Sequence, residues 1–233
     1  MDQNGSYTDI LEMLKQLREE KKKADFIQPS LLPGIDLYMD QVTTFMDEHL
    51  KSTKRYEDDK ILTKTMINNY AKNNLLPPPE KKKYSKDHLL LLTFIYYYKS
   101  FLSINDIQTL LKPVTEKYFK ASGAVSLEDV YTNIIDEIKK QADIIIDDME
   151  NKFHMSEEAF AHMPSEDRDL LSLFGFMCSL SYDIYLKKQI VERIIDQMDA
   201  QAQTLKKEKE AKEHRDKKEA KEAKKQKNTR SES

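Results

Sequence analysis

Apolar side chains recur at three- and four-residue intervals along nearly all of this chain, and the strict alternation of a half-buried strand is scarce. The spacing predicts a first helix over about 7–24, with Ile10, Leu11, Leu14 and Leu17 on one face, followed by a loop marked by Pro29 and Pro33. A second helix is expected from Ile35 to Leu50, with Ile35, Met39, Val42, Phe45, Met46 and Leu50 inward. After a polar loop, 51–60, Thr63 can cap a short helix over 64–73. Leu75-Leu76-Pro77-Pro78-Pro79 then stops it, because proline removes a donor and clashes with the preceding turn. Ser85 caps a helix carrying Leu89, Leu92, Ile95 and Tyr96, and Ser103 with Asp106 three residues on caps another that ends near Leu111.

The pattern changes after Pro113 and Gly123. Ser126 with Asp129 forms a capping box for a helix to about Lys152, with Val130, Ile134, Ile138 and Ile145 at core spacing. A turn of helix is expected near 157–162. Ser165 then opens a long helix with Leu170, Phe174, Met177, Ser181, Ile184, Lys188, Val191 and Ile195 on one continuing stripe. From Ala200 on only Leu205 and five alanines are apolar, so the tail is either a solvated helix held by Glu and Lys pairs or disordered. The chain therefore reads as mainly all-α in four parts. These are an N-terminal helix and linker (1–34), a compact domain (35–112), an acidic helical region (125–200) and a charged tail (201–233).

Composition narrows the functional classes. Only four glycines occur in 233 residues, at 5, 34, 123 and 175, too dispersed for a phosphate-cradling loop or a dinucleotide fingerprint. The net charge of −3 conceals segregation: −4 over 1–53, +4 over 54–90, +2 over 91–124, −10 over 125–200 and +5 over 201–233. No basic start followed by an apolar run marks a signal peptide, and no apolar run approaches the ~20 residues of a membrane span. The single cysteine, Cys178, excludes an internal disulfide and sits in an apolar run where a buried thiol is expected. A cytoplasmic protein with no membrane contact is the expectation.

Local charge matters more than the total. Residues 60–86 hold seven lysines and one acid. In the 64–73 helix, Met66, Ile67 and Tyr70 form the apolar side, with Ala71 beside them. Thr65, Asn68 and Lys72 face the other way, flanked by Lys64, Asn69 and Asn73. Asparagine can pair bidentately with adenine, threonine can touch a thymine methyl, and lysine can reach guanine or phosphate. Asn74 falls at the helix exit, where asparagine tolerates the left-handed region. The prolines stiffen an extended segment whose tip is Lys81-Lys82-Lys83. Helix, reading helix, basic wing and capped helix follow one another as in a winged helix-turn-helix with a small β wing.

Thr63 to Pro79, then Tyr84-Ser85 and an apolar helix, then Leu102-Ser103-Ile104-Asn105-Asp106-Ile107, resembles the MerR-type DNA-binding domain. With Ile35 to Phe45 added, the chain resembles a narrower group of bacterial proteins that pair such a domain with a helical C-terminal half, known mainly as uncharacterised regulators. The resemblance covers 35–112 and implies that Tyr70 closes the reading helix, that Lys72 is a basic contact and that Tyr84 closes the wing at the DNA. Two positions depart from that pattern. Asn68 stands where relatives carry a phosphate-touching arginine, and Asn74 replaces the exit glycine. The long dimerising coil of such regulators is not evident after Leu111.

The second half offers less chemistry. His154, Glu157, Glu158 and His162 are the nearest approach to a metal set, but such residues are common on solvated helix faces. Nothing marks Cys178 as an activated nucleophile. Phe174, Phe176, Met177, Tyr182 and Tyr185 suit a core, a dimer seam or a pocket for a small-molecule or protein effector. The expectation is a homodimeric, sequence-specific transcriptional regulator of the repressing kind that binds double-stranded DNA and has neither enzymatic activity nor a cofactor. In it Thr65, Asn68 and Asn69 read bases, while Lys64, Lys72, Lys81, Lys82, Lys83 and Tyr84 contact the backbone. The rival is a helical protein–protein adaptor that uses the winged fold as a scaffold.

Overall fold

The computed structural model describes residues 9–22 and 26–231, with side chains over 10–20 and 26–212. The chain is mainly helical. In order it forms α1 (Asp9–Lys22), β1 (Leu37–Tyr38), α2 (Met39–Leu50), α3 (Lys64–Lys72), β2 (Lys83–Tyr84), α4 (Lys86–Tyr98), α5 (Ile104–Tyr118), α6 (Leu127–Ala159) and α7 (Ser165–Ser231). Packing divides it into two units, residues up to 189 and residues from 190 onward. The second unit is helical throughout its described residues. Among the described residues no helix is long and apolar enough to cross a membrane.

The first unit is built around α4. Its consecutive residues His88 to Ile95 are all buried, as a helix apolar on every side requires. Val42, Met46 and Leu50 of α2, Ile67 and Tyr70 of α3, and Ile107 and Leu111 of α5 are buried with it. β1 and β2 pair antiparallel, Leu37 with Tyr84 and Tyr38 with Lys83. The start of α6 is fastened to this core. Tyr131 lies edge-on to Phe94 at 5.2 Å and donates from its hydroxyl to the Ile27 carbonyl at 2.9 Å. Farther along, α1 packs on α6 with Leu14 buried and with Arg18 donating to Asp147 at 2.6 Å and Glu150 at 3.1 Å.

Several element ends differ from the sequence pattern. Ile35 is exposed and α2 starts only at Met39, because Leu37 and Tyr38 extend to pair with β2. Pro113 sits inside α5 instead of ending it. The continuation is anchored by Phe119, whose ring packs edge-on to His88 at 4.8 Å. α6 runs past Lys152 to Ala159, since Phe153 and Ser156 are buried against α7. Residues 7, 8, 23 and 24 of the expected first helix lie outside the described residues.

The largest departure is the facing of α7. Ser156 Oγ donates to the Ser172 carbonyl at 2.6 Å, the Phe153 and Phe176 rings pack at 5.3 Å, and Lys152 reaches Asp183 at 3.1 Å. Ser172, Gly175, Phe176 and Asp183 thus face α6, whereas Leu170, Phe174, Met177 and Ile184 of the continuing stripe are exposed and Ile195, farther along it, is buried. The expected buried thiol is corrected by the same rotation: Cys178 is exposed. The reason is close approach. A Cβ on Gly175 would lie 2.6 Å from both the Phe160 ring and Ser156 Oγ, so α6 docks where α7 has its smallest residues.

Candidate nucleic-acid interface

The candidate surface starts from the cap of α3. Thr63 Oγ1 accepts from the Met66 amide at 3.2 Å, which sets where the helix begins. Ile67 and Tyr70 are buried and hold its inner side. Thr65, Asn68, Asn69 and Lys72 are thereby exposed together, and no acid occurs within the helix. At its exit Asn74 adopts φ 55, and the Leu75 and Leu76 amides both donate to the Tyr70 carbonyl, at 2.9 and 3.2 Å. That left-handed step sends the chain into the prolines and on to the turn at 80–83.

The turn is closed by two backbone bonds, Glu80 N to Lys83 O at 3.1 Å and Lys83 N to Glu80 O at 2.8 Å. Between them Lys81 and Lys82 adopt φ 49 and 64, the sign required at both central positions of a type I′ turn. Such turns strongly favour Asn-Gly, and an L-residue with a Cβ loses about 1–2 kcal/mol in this region. Two lysines are held here against their own backbone preference, and both are exposed. The Glu80 carboxylate is engaged by Lys120 Nζ at 2.6 Å, and this bond holds its pKa below the ordinary value.

The start of α2 joins helix and turn. Lys64 pairs with Asp40, and two residues earlier the Tyr38 ring lies beneath Lys83 Nζ, 5.2 Å from its centroid. Lys64 and Lys83 therefore each have a protein partner, whereas Lys72, Lys81 and Lys82 form no ion pair among the described residues. Neither Asp40 nor Tyr38 was singled out in the sequence, because their roles depend on the β1–β2 pairing.

Tyr84 requires correction as a contact residue. It is 3% exposed, in register with Leu37 and edge-on to His88 at 5.3 Å, and burial raises its hydroxyl pKa. His88 is the linchpin behind the turn. Its Nδ1 accepts from the Ser85 amide at 2.9 Å, which places the ring proton on Nε2. Nε2 faces the carbonyls of Pro77 and Pro78 and is without a hydrogen-bond partner among the described residues. Burial lowers the pKa of this histidine.

Elsewhere the sequence candidates do not assemble into a site. His154 Nδ1 lies 2.9 Å from Glu157 Oε2, and no group of three potential metal ligands occurs among the described residues. Of the aromatic and methionine set in α7, only Phe176 is buried. A separate cleft of about 600 Å³ opens at the C-terminal end of α4, between Leu17, Thr53, Ile61, Tyr96, Tyr97 and Lys99.

No curated protein and no solved structure matches this chain. The resemblance to the MerR-type domain is not upheld. The residues that carried it are largely packing residues: Tyr70, Leu75, Leu76, Tyr84, Leu102 and Ile107 are all buried. They pack α3, β2, α4 and α5 together. The family model that matches is a domain of unknown function (DUF1836), over residues 27–134, slightly less than half of the chain and a span tied end to end by the Tyr131–Ile27 bond.

Proposed function

We propose that the 27–134 region is a winged helix-turn-helix-like module that binds double-stranded DNA, and that the protein is a transcriptional regulator acting as a repressor by occupancy. In this reading α3 enters the major groove with Thr65, Asn68 and Asn69 toward the bases. Lys72, Lys81 and Lys82 lie against the phosphates, with Lys64 and Lys83 joining from the flanks. The observation that carries it is the turn at 80–83: two exposed lysines in left-handed conformation, beside an exposed helix face without acids. Strained backbone concentrates at functional sites, and a closed two-residue turn presents two lysines with little further backbone entropy loss on binding.

Fluorescence anisotropy with the full chain tests the reading, using duplexes from upstream of its own gene and its neighbours. Tight, salt-sensitive binding to one duplex is expected, with affinity lost for every duplex in Lys81→Ala/Lys82→Ala. Asn68→Ala is expected to cost ~1–3 kcal/mol at the preferred duplex and little elsewhere. Weak binding that ignores sequence, or affinity unaffected by the lysine changes, overturns the reading in favour of a protein–protein adaptor.

A further inference from the structure

Over residues 170–186 α7 turns a side of mostly small and polar residues to α6 and carries large apolar residues on the opposite side. One side is covered: Ser172, Gly175, Phe176 and Asp183 meet α6. On the opposite side Leu170, Phe174, Met177, Ile184 and Tyr185 remain 54–66% exposed. A broad apolar stripe on one side of a helix is the face that packs against another surface. These residues follow the four–three–four spacing of a helix–helix seam, with Ser181 completing the series between Met177 and Ile184. The five exposed side chains present roughly 600 Å², close to the ~800 Å² that each partner brings to an interface of standard size.

The sequence along this face is self-complementary about Met177. Leu170 and Ile184 lie seven residues to either side of it, and Glu166-Asp167 and Lys187-Lys188 lie ten and eleven residues away at its two ends, Lys187 also pairing with Asp183 of its own helix at 2.8 Å. We propose that a second copy of this chain covers the face, with the two α7 helices antiparallel and the two-fold axis at Met177. Leu170 then packs on Ile184 of the second copy, and the acidic first turn faces the Lys187-Lys188 pair of the second copy. A parallel pair would instead set each acidic turn against its own equivalent. The same patch meets itself, as a two-fold interface requires. This inference stands apart from the DNA-binding reading and holds whether or not the protein binds DNA.

Sedimentation equilibrium of the full chain between 1 and 100 µM is expected to give twice the chain mass. Met177→Glu, which sets two carboxylates together on the axis, is expected to give a monomer with unchanged helix content by circular dichroism. If that variant loses helix, the charge reversal Glu166→Lys/Asp167→Lys, on exposed positions, supplies the second readout. It should weaken the dimer at least tenfold, and adding Lys187→Glu/Lys188→Glu should restore it. Orientation is read in a Cys178→Ser background by mixing a Leu170→Cys variant with an Ile184→Cys variant. Oxidation should link the two variants to each other and leave Leu170→Cys alone uncrosslinked. A monomer at 100 µM, an unaffected dimer in both the Met177→Glu and the charge-reversed variants, or a Leu170→Cys self-crosslink each overturns the proposal. So does a monomer that sediments with phosphatidylcholine vesicles, which would make the face a lipid contact.

Discussion

Lys99 donates from Nζ to the main-chain carbonyl of Ile61 at 2.6 Å, so the end of α4 holds the loop two residues ahead of the Thr63 cap of α3. The ammonium also lies 4.7 Å from the Tyr96 ring centroid, and burial lowers its pKa. Lys99→Met keeps the side-chain bulk and removes the donor. A stability loss of about 1.5–3 kcal/mol is expected in urea denaturation, the range for a charged hydrogen bond to a partly buried acceptor. An unchanged midpoint would mean that the loop holds itself.

The turn at 81–82 is expected to trade stability against binding. Lys81→Asn/Lys82→Gly installs the residues that a type I′ turn favours and should raise stability by about 1–2 kcal/mol. The same variant should bind DNA more weakly and lower the slope of log affinity against log salt by about 2, for two phosphate contacts. Thermal unfolding and salt-dependent anisotropy on one preparation check both halves.

His88 makes stability depend on pH. Its folded pKa lies below the ordinary histidine value of about 6.5, so the unfolded chain takes up the proton first. This contribution is complete above about pH 6.5 and is lost as pH falls toward the folded value. Lys120 works in the same direction, while the Pro78 and Pro77 carbonyls and then Asp87 oppose it. His88→Gln retains an acceptor for the Ser85 amide without the titration. The difference in unfolding free energy between wild type and variant should therefore slope below pH 6.5 and be flat above it.

At the α6–α7 crossing, Gly175→Ala is expected to destabilise despite alanine's better helix propensity. The added Cβ must displace Ser156 Oγ from its bond to the Ser172 carbonyl, as well as the Phe160 ring. Overpacking of about 1–3 kcal/mol outweighs a propensity gain of about 1 kcal/mol. Adding Ser156→Ala should recover part of the loss. A Gly175→Ala protein more stable than wild type in chemical denaturation would show that the helices part freely.

How much of the molecule is legible depends on how far apart the deciding residues are. Ser103 with Asp106, Ser126 with Asp129, and the exit at Asn74 are arrangements within a few residues, and the structure has them where the sequence places them. The exposed residues of α3 follow equally well from the burial of Ile67 and Tyr70. The left-handed pair at Lys81 and Lys82 had no signal, because lysine has no preference for it; the Glu80–Lys83 backbone pairing that closes the turn imposes it. Tyr84 shows the same limit, since a tyrosine beside three lysines is placed inside only by what packs on it, here His88 and the register with Leu37.

The sequence by itself determined a mainly helical chain, the caps that start most of its helices and a lysine-rich stretch beside an acidic one, because each depends on near neighbours or on composition. Tertiary structure alone decided which side of α7 is covered. Large-residue periodicity does not name the covered side here, and the choice fell to the closest approach available, at Ser156 and Gly175. Leu170, Phe174, Met177 and Ile184 are thereby left outward, and Phe176 alone of the aromatic and methionine set is inside.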